Sequence, residues 1–150
     1  MTPLFKKLNL ADNKKILVLN PPKSFEAAIA ELDDVKVVRR ATSESNQFAI
    51  AFATTVAELL ELSEKLVKAT TGDATVWVAY PKKSSKNFDR EFNRDTGDWS
   101  ILGAAEFEPV RQVAIDEDWS ALRFRKTTYI ESLTRSNSMA ISKSGKRRTK

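Results

Sequence analysis

Two lysines, Lys82 and Lys83, follow Tyr80 at the end of one apolar run, while Asn20 and Pro21 close another. Thr54 and Thr55 stand between a third apolar run and a helical pattern in which Glu58 comes early. If these runs are adjacent strands, the six residues Asn20, Thr54, Thr55, Tyr80, Lys82 and Lys83 meet at one end of a sheet. Two ammonium groups beside the exposed amides of a helix start form an electropositive pocket, so the chemistry on offer is capture of a small anion. The plainer reading of the same residues is structural. Asn20 and the prolines stop a strand, Thr55 caps a helix, and the lysines are solvated.

What the chain lacks narrows the chemistry further. It has no cysteine and no histidine, which excludes disulfides, thiol nucleophiles, Ser-His-Asp triads, imidazole acid/base catalysis and the usual structural zinc. Neither a metal nor a cofactor is expected. Asp98 beside Trp99, and the run Asp116, Glu117, Asp118, are the acids one would nominate instead. Three adjacent residues at a hairpin turn cannot converge on one ion as an interleaved calcium loop does, so these are assigned to turn chemistry. Trp77, Trp99 and Trp119 are assigned to core or edge packing, since a base-stacking platform pairs its aromatics with a basic groove.

No such groove is expected on the body of the domain. Five of the 25 basic side chains, Lys143, Lys146, Arg147, Arg148 and Lys150, fall after Ser136 with no acid among them, which leaves 20 of each sign before it. The net charge of +5 therefore describes a tail. A Ser-, Lys- and Arg-rich end of this kind reads as disordered, and weak nonspecific contact with nucleic acid would reside there. No apolar run approaches the ~20 residues of a membrane span, and Met1 to Leu10 is not followed by the apolar core of a leader, so a cytoplasmic protein is expected.

The elements that position these residues follow from periodicity. Thr2 and Pro3 start a short helix with Leu4, Phe5 and Leu8 on one side. Lys15 to Asn20, Phe48 to Ala53 and Thr75 to Tyr80 are nearly continuous apolar runs of strand length, as in parallel strands covered on both faces. Ser24 is expected to cap a helix carrying Phe25, Ala28, Ile29 and Leu32, and Val35 to Arg40 is a second strand. Thr55 and Glu58 form a capping box for a helix whose stripe runs through Val56, Leu59, Leu60, Ser63, Leu66, Val67 and Thr70, with Gly72 as its end.

Between strands two and three lie Ala41 to Gln47, without a helical pattern. Seven residues reach about 25 Å at most, and a parallel return across two strand spacings needs roughly 21 Å. A taut helix-free crossover and an antiparallel hairpin both remain open. Beyond Tyr80 a basic loop leads to Phe88 to Phe92, where a helical stretch is expected, and Trp99, Leu102 and Ala105 resume helical spacing. Val110 to Ile115 and Trp119 to Arg125 form a hairpin, with Arg123 and Arg125 turned outward on a partly exposed edge. Thr128 to Leu133 carries no classifiable pattern.

Strand one with its loop, the strand–helix–strand unit and the terminal hairpin together resemble the Rossmann-like core of S-adenosylmethionine-dependent methyltransferases, over about Lys15 to Lys126. That resemblance implies a glycine-rich loop after strand one and an acid ending strand two; here those places read Asn20-Pro21-Pro22-Lys23 and Val38-Arg39-Arg40. The same positions lack a dinucleotide fingerprint. Lys15 to Pro22 (KILVLNPP), Val76 to Lys83 (VWVAYPKK) and Val113 to Leu122 (VAIDEDWSAL) resemble more closely a family of small bacterial proteins, a domain of unknown function with a truncated Rossmann-like fold.

The expectation is thus an α/β chain with a three-layer, mostly parallel Rossmann-like sheet and a C-terminal antiparallel hairpin. Residues 1–135 form one domain and 136–150 the tail. The favoured function is a non-catalytic binding or interaction module, with a small anionic ligand or a protein as partner. The alternative is a degenerate methyltransferase-like enzyme or a binder of a small anionic ligand.

Overall fold

In the computed structural model, which describes residues 2–130 and Ile141, the three apolar runs lie side by side as β1 (Lys15–Leu19), β3 (Asn46–Phe52) and β4 (Thr70–Pro81). With β2 (Lys36–Val38), β5 (Phe107–Ala114) and β6 (Trp119–Lys126) they form one sheet of order β2-β1-β3-β4-β6-β5. The first four strands are parallel, whereas β6 runs antiparallel to both β4 and β5. Because β2 and β3 flank β1 on opposite sides, residues 39–45 make the crossover without a helix, and the hairpin alternative is excluded.

Helices cover both faces, which is why the central strands need no polar side. On one face α1 (Pro3–Lys7) and α2 (Lys23–Ala30) bring Phe5, Phe25 and Ile29, with Leu8, onto Ile16, Val18, Phe48, Ile50, Phe52 and Trp77. On the other, α3 (Val56–Ala69) and α4 (Ser100–Ala104) lay Leu59, Leu62, Leu66 and Leu102 on Leu17, Leu19, Ala49, Ala51, Val76 and Val78. The small Ala49 and Ala51 let α3 approach the sheet closely. Thr2 caps α1 through its hydroxyl, 3.3 Å from the Phe5 amide, and the Trp77 indole donates to Leu8 O at 2.8 Å.

Several local expectations are corrected. Ser24 lies inside α2, whose cap position is Pro22; the Pro22 carbonyl accepts from the Phe25 and Glu26 amides instead of a side chain doing the capping. Gly72 does not end α3. The helix passes directly into β4 at Thr70, whose hydroxyl satisfies Leu66 O at 2.7 Å, and Gly72 sits within β4 at φ +61°. There the register jumps from Asn46–Thr70 to Phe48–Thr75, so β4 carries extra residues and glycine absorbs the left-handed turn of the bulge.

Phe88 to Phe92 is an irregular loop. Phe88, half-buried, packs on Trp119 at 5.0 Å against the core of one sheet face, while Phe92 packs on Tyr80 and Trp99 at 5.6 and 5.7 Å within the core of the other. Residues four apart on a helix share a face, so no helix could deliver both rings. Ser85 and Asn93 hold the loop by accepting from the Phe88, Asp95 and Thr96 amides.

The hairpin also closes differently from the expectation. Since β6 inserts between β4 and β5, the edge strand is β5, and Arg123 and Arg125 stand on an interior strand. Arg125 makes a two-pronged pair with Asp73 at 2.7 and 2.8 Å, which holds the Asp73 carboxyl below its usual range. A short 3-10 turn, Thr127–Tyr129, follows β6. The tail residues Lys143, Lys146, Arg147, Arg148 and Lys150 lie outside the described residues, as does Leu133.

Ile141 is described, and it is packed. Its amide donates to Glu108 Oε2 at 2.7 Å, and its side chain meets the α3/α4 core. A Cβ on Gly103 of α4 would lie 2.2 Å from Ile141 O, a distance no methyl group can occupy. Gly103→Ala is therefore expected to lower the melting temperature of the full chain by several degrees. In a chain ending at Arg135 the same change should be neutral or slightly stabilising, because alanine favours a helix over glycine by about 1 kcal/mol. Equal melting shifts in both backgrounds would show that the contact carries no weight.

Candidate functional site

The structure divides the six predicted site residues into two groups. Asn20, Thr54 and Thr55 converge on Glu58, which the sequence marks only as part of a capping box. Glu58 Oε1 accepts from the Thr54 amide (2.9 Å), the Thr54 hydroxyl (2.8 Å) and the Thr55 amide (3.3 Å), while Oε2 accepts from Asn20 Nδ2 at 3.1 Å. The Thr55 hydroxyl accepts in return from the Glu58 amide at 3.1 Å. These bonds, the Thr54 amide foremost, hold the Glu58 carboxyl below its ordinary pKa against the opposing effect of burial.

Asn20 is fixed by more than Glu58. Its side-chain amide also donates to Phe52 O at 2.8 Å, tying the loop after β1 to the end of β3, and its backbone sits at φ +56°. Asparagine tolerates this left-handed conformation better than other non-glycine residues. It thus makes the turn that a glycine would make after the first strand.

The start of α3 is filled by the chain itself. Besides the three amides already described, the Val56 amide donates to Glu91 Oε1 at 2.9 Å, and the Glu91 amide donates to Thr54 O. Two protein carboxylates stand where the expected small anion would sit. The other group lies elsewhere. Tyr80 turns its ring into the α3/α4 core against Phe92, and its hydroxyl accepts from Gln112 Nε2 at 3.1 Å. Burial pushes that phenol above its ordinary pKa, so it stays neutral. Lys82 and Lys83 belong to the turn after β4, where the Lys82 amide donates to Asp118 O at 2.7 Å.

A cleft of about 260 Å³ opens at the carboxyl ends of β1 and β2, over α3, and is lined by Leu19, Asn20, Arg39, Glu58, Glu61, Leu62 and Lys65. Of the predicted residues only Asn20 reaches it. Its α3 residues fall at offsets of three, four and seven from Glu58, which puts them on one helix face. Glu61 pairs with Lys65 at 3.2 Å and Arg39 with Glu26 of α2 at 2.5 Å, so the walls carry both signs. Sequence reasoning missed Arg39 because it weighed that position only for a missing acid. It missed Glu61 and Lys65 because their spacing looks like any solvated face.

The remaining candidates are structural. Asp116 Oδ1 accepts from the Asp118 and Trp119 amides at 2.8 and 2.9 Å, and Asp118 accepts from Ser85 Oγ at 2.8 Å. Asp98 accepts from the Ser100 hydroxyl and amide, which lower its pKa. Trp77, Trp99 and Trp119 are buried in the core. Among the described residues no group of three or more acids, cysteines or histidines gathers as a metal site, and no helix is long and apolar enough to cross a membrane.

No family model matches the chain, and no curated protein does. Solved structures do. A SAM-dependent methyltransferase from Aquifex aeolicus superposes with a TM-score of 0.52 at 12% identity, covering 81% of this chain and 86% of that one. A ribosomal protein L11 methylase from Lactobacillus delbrueckii subsp. bulgaricus gives 0.50 at 11% identity, covering 82% of this chain and 76% of its own. At such identities the likeness is one of fold, and the fold of this chain is the Rossmann-like α/β architecture that those methyltransferases share.

Proposed function

We propose that this chain is a small-molecule-binding protein built on the methyltransferase-type Rossmann-like fold, with its ligand seated in the cleft between Asn20, Arg39, Glu58, Glu61 and Lys65. The observation that supports this reading is where the cleft lies. Open α/β sheets bind ligands beyond the carboxyl ends of their strands, beside the point where strand order reverses, and here β1 has β2 on one side and β3 on the other. The mixed charge of the walls suits a ligand carrying both a carboxylate and an ammonium: Arg39 or Lys65 would meet the first and Glu61 the second. S-adenosylmethionine and its demethylated product have both groups, and the fold likeness makes them the first ligands to try.

Binding, without catalysis, is the extent of the proposal. Glu58 is spent on the backbone of Thr54 and Thr55, and Tyr80 is a neutral phenol inside the core. Thermal melting with S-adenosylmethionine, S-adenosylhomocysteine and methionine tests the reading, since a ligand at 100 times its dissociation constant adds about 2.7 kcal/mol. One of these ligands is expected to raise the melting temperature of the wild type, and Arg39→Ala should lose most of that rise. No rise with any of the three would overturn this reading in favour of the other, a non-catalytic module whose partner is a protein or a different small anion.

A further inference from the structure

Cross-strand neighbours on an antiparallel pair normally avoid like charge, yet Arg111 of β5 stands in register directly opposite Arg123 of β6. Arg125, two residues further along β6, lies on the same face, and its counter-ion is Asp73. Among the described residues no carboxylate lies within ion-pair distance of Arg111 or Arg123, and Asp73, bound to Arg125, attracts Arg123 only from further off. Arg123 is also half-buried, with its Nε shielded from solvent and without a hydrogen bond in the described structure. A guanidinium cannot shed its charge to relieve such a position. Arg111, by contrast, is exposed at the edge of the sheet. Helix α1 meets β5 at Ala114, whose carbonyl accepts from Lys7 Nζ at 2.6 Å, further along the strand than Arg111.

Two guanidiniums that repel each other, with a third held in place by Asp73, make a fork suited to a compact oxyanion. We propose that the face formed by Arg111, Arg123 and Arg125 binds a phosphate monoester, free or carried on a small molecule such as a nucleoside monophosphate. Arginine presents paired donors in a planar fork that matches phosphate oxygens, and a dianion would offset the repulsion that Arg111 and Arg125 exert on Arg123. The small ligand is favoured over a nucleic acid because residues 1–135, these arginines included, carry as many acids as bases; a track of phosphates needs a stripe of cations. This site lies on the β6–β5 side of the sheet, away from the cleft beside β1 and β2.

The test uses the full chain and two probes, inorganic phosphate and adenosine 5′-monophosphate, each against sodium chloride of equal ionic strength. Both phosphates should raise the melting temperature of the wild type at millimolar concentration. Arg111→Ala, an exposed position whose loss leaves the core intact, should abolish at least nine-tenths of that rise, while Lys36→Ala on the far edge strand keeps it. Without phosphate, Arg111→Ala should melt no lower than wild type, because a like-charge contact has been removed. A phosphate effect no larger than the chloride control, or one that survives Arg111→Ala, would overturn the proposal. A single-stranded oligonucleotide that binds more than tenfold tighter than the monophosphate, and loses that affinity in Arg111→Ala, would overturn the assignment to a small ligand.

Discussion

Phe52→Ala is expected to destabilise the protein by about 4 kcal/mol, within the range of phenylalanine truncations in well-packed cores. Phe52 is wholly buried at the carboxyl end of β3, with its ring 4.8 Å from Phe25 and 5.2 Å from Trp119. Through Phe25 it reaches Phe5 of α1, and through Trp119 it reaches Phe88 of the loop. One ring therefore connects two helices, the hairpin and the loop, and the space it leaves cannot be filled by any one of them moving. A chain of this size loses roughly 10 °C of melting temperature for such a change. Thermal melts or urea titrations of the purified variant measure it; a loss under about 1 kcal/mol would mean that these rings do not pack as one unit.

Glu58→Ala is the second large effect, expected at about 2 kcal/mol, because it removes the acceptor for two backbone amides and the Thr54 hydroxyl together. Asn20 keeps Phe52 O as a partner, so the loop after β1 loosens without detaching. The pH dependence has a definite sign. Glu58 titrates below its ordinary value of 4.5 in the folded chain, so its stabilising contribution is fully present above that value and is lost as pH falls through the lower, folded pKa. The gap between wild type and Glu58→Ala should be widest near neutral pH and close progressively below pH 4.5. A gap independent of pH down to the acid transition would show that the side chain, not its charge, matters.

The sheet was legible because its signals are local and redundant. The apolar runs of β1 and β3 match the strands closely, β4 begins at Thr70 where its apolar run predicts Thr75, and the capping box at Thr55 and Glu58 marks the start of α3 within one residue. The parallel crossover between β2 and β3 could be judged feasible from chain reach alone, but choosing it over a hairpin required the strand order. Where the reading failed, the deciding contact was distant in sequence. Phe88 and Phe92 carry a helical spacing, and only their partners on opposite faces, Trp119 and Tyr80 with Trp99, break the pattern. Gly72 looks like a helix stop because a bulge and a helix end both want a left-handed residue.

The site was legible only in part, for a physical reason. A charged side chain has no periodic signature, so nothing local separates a Glu61 or Lys65 that lines a cleft from one that faces water. Glu91 is the clearest case. It lies 35 positions from Val56 in the chain, and its bond to that amide fills the helix start that Lys82 and Lys83 were expected to complete as an anion pocket.

Anchoring the loop after β4 through Phe88 on one face and Phe92 on the other has a mechanical consequence. The segment straddles the end of the sheet as a clasp with a foot in each hydrophobic core, and it is pinned at the rim where the Glu91 amide meets Thr54 O. To swing aside it would have to pull Phe92 out of one core and the half-buried Phe88 off the other, so its opening costs both ring contacts and is not a cheap hinge. Among the described residues the cleft at this end of the sheet lies on the side of β1 and β2, away from the clasp, where the wall is made of α3 and the turn at Asn20.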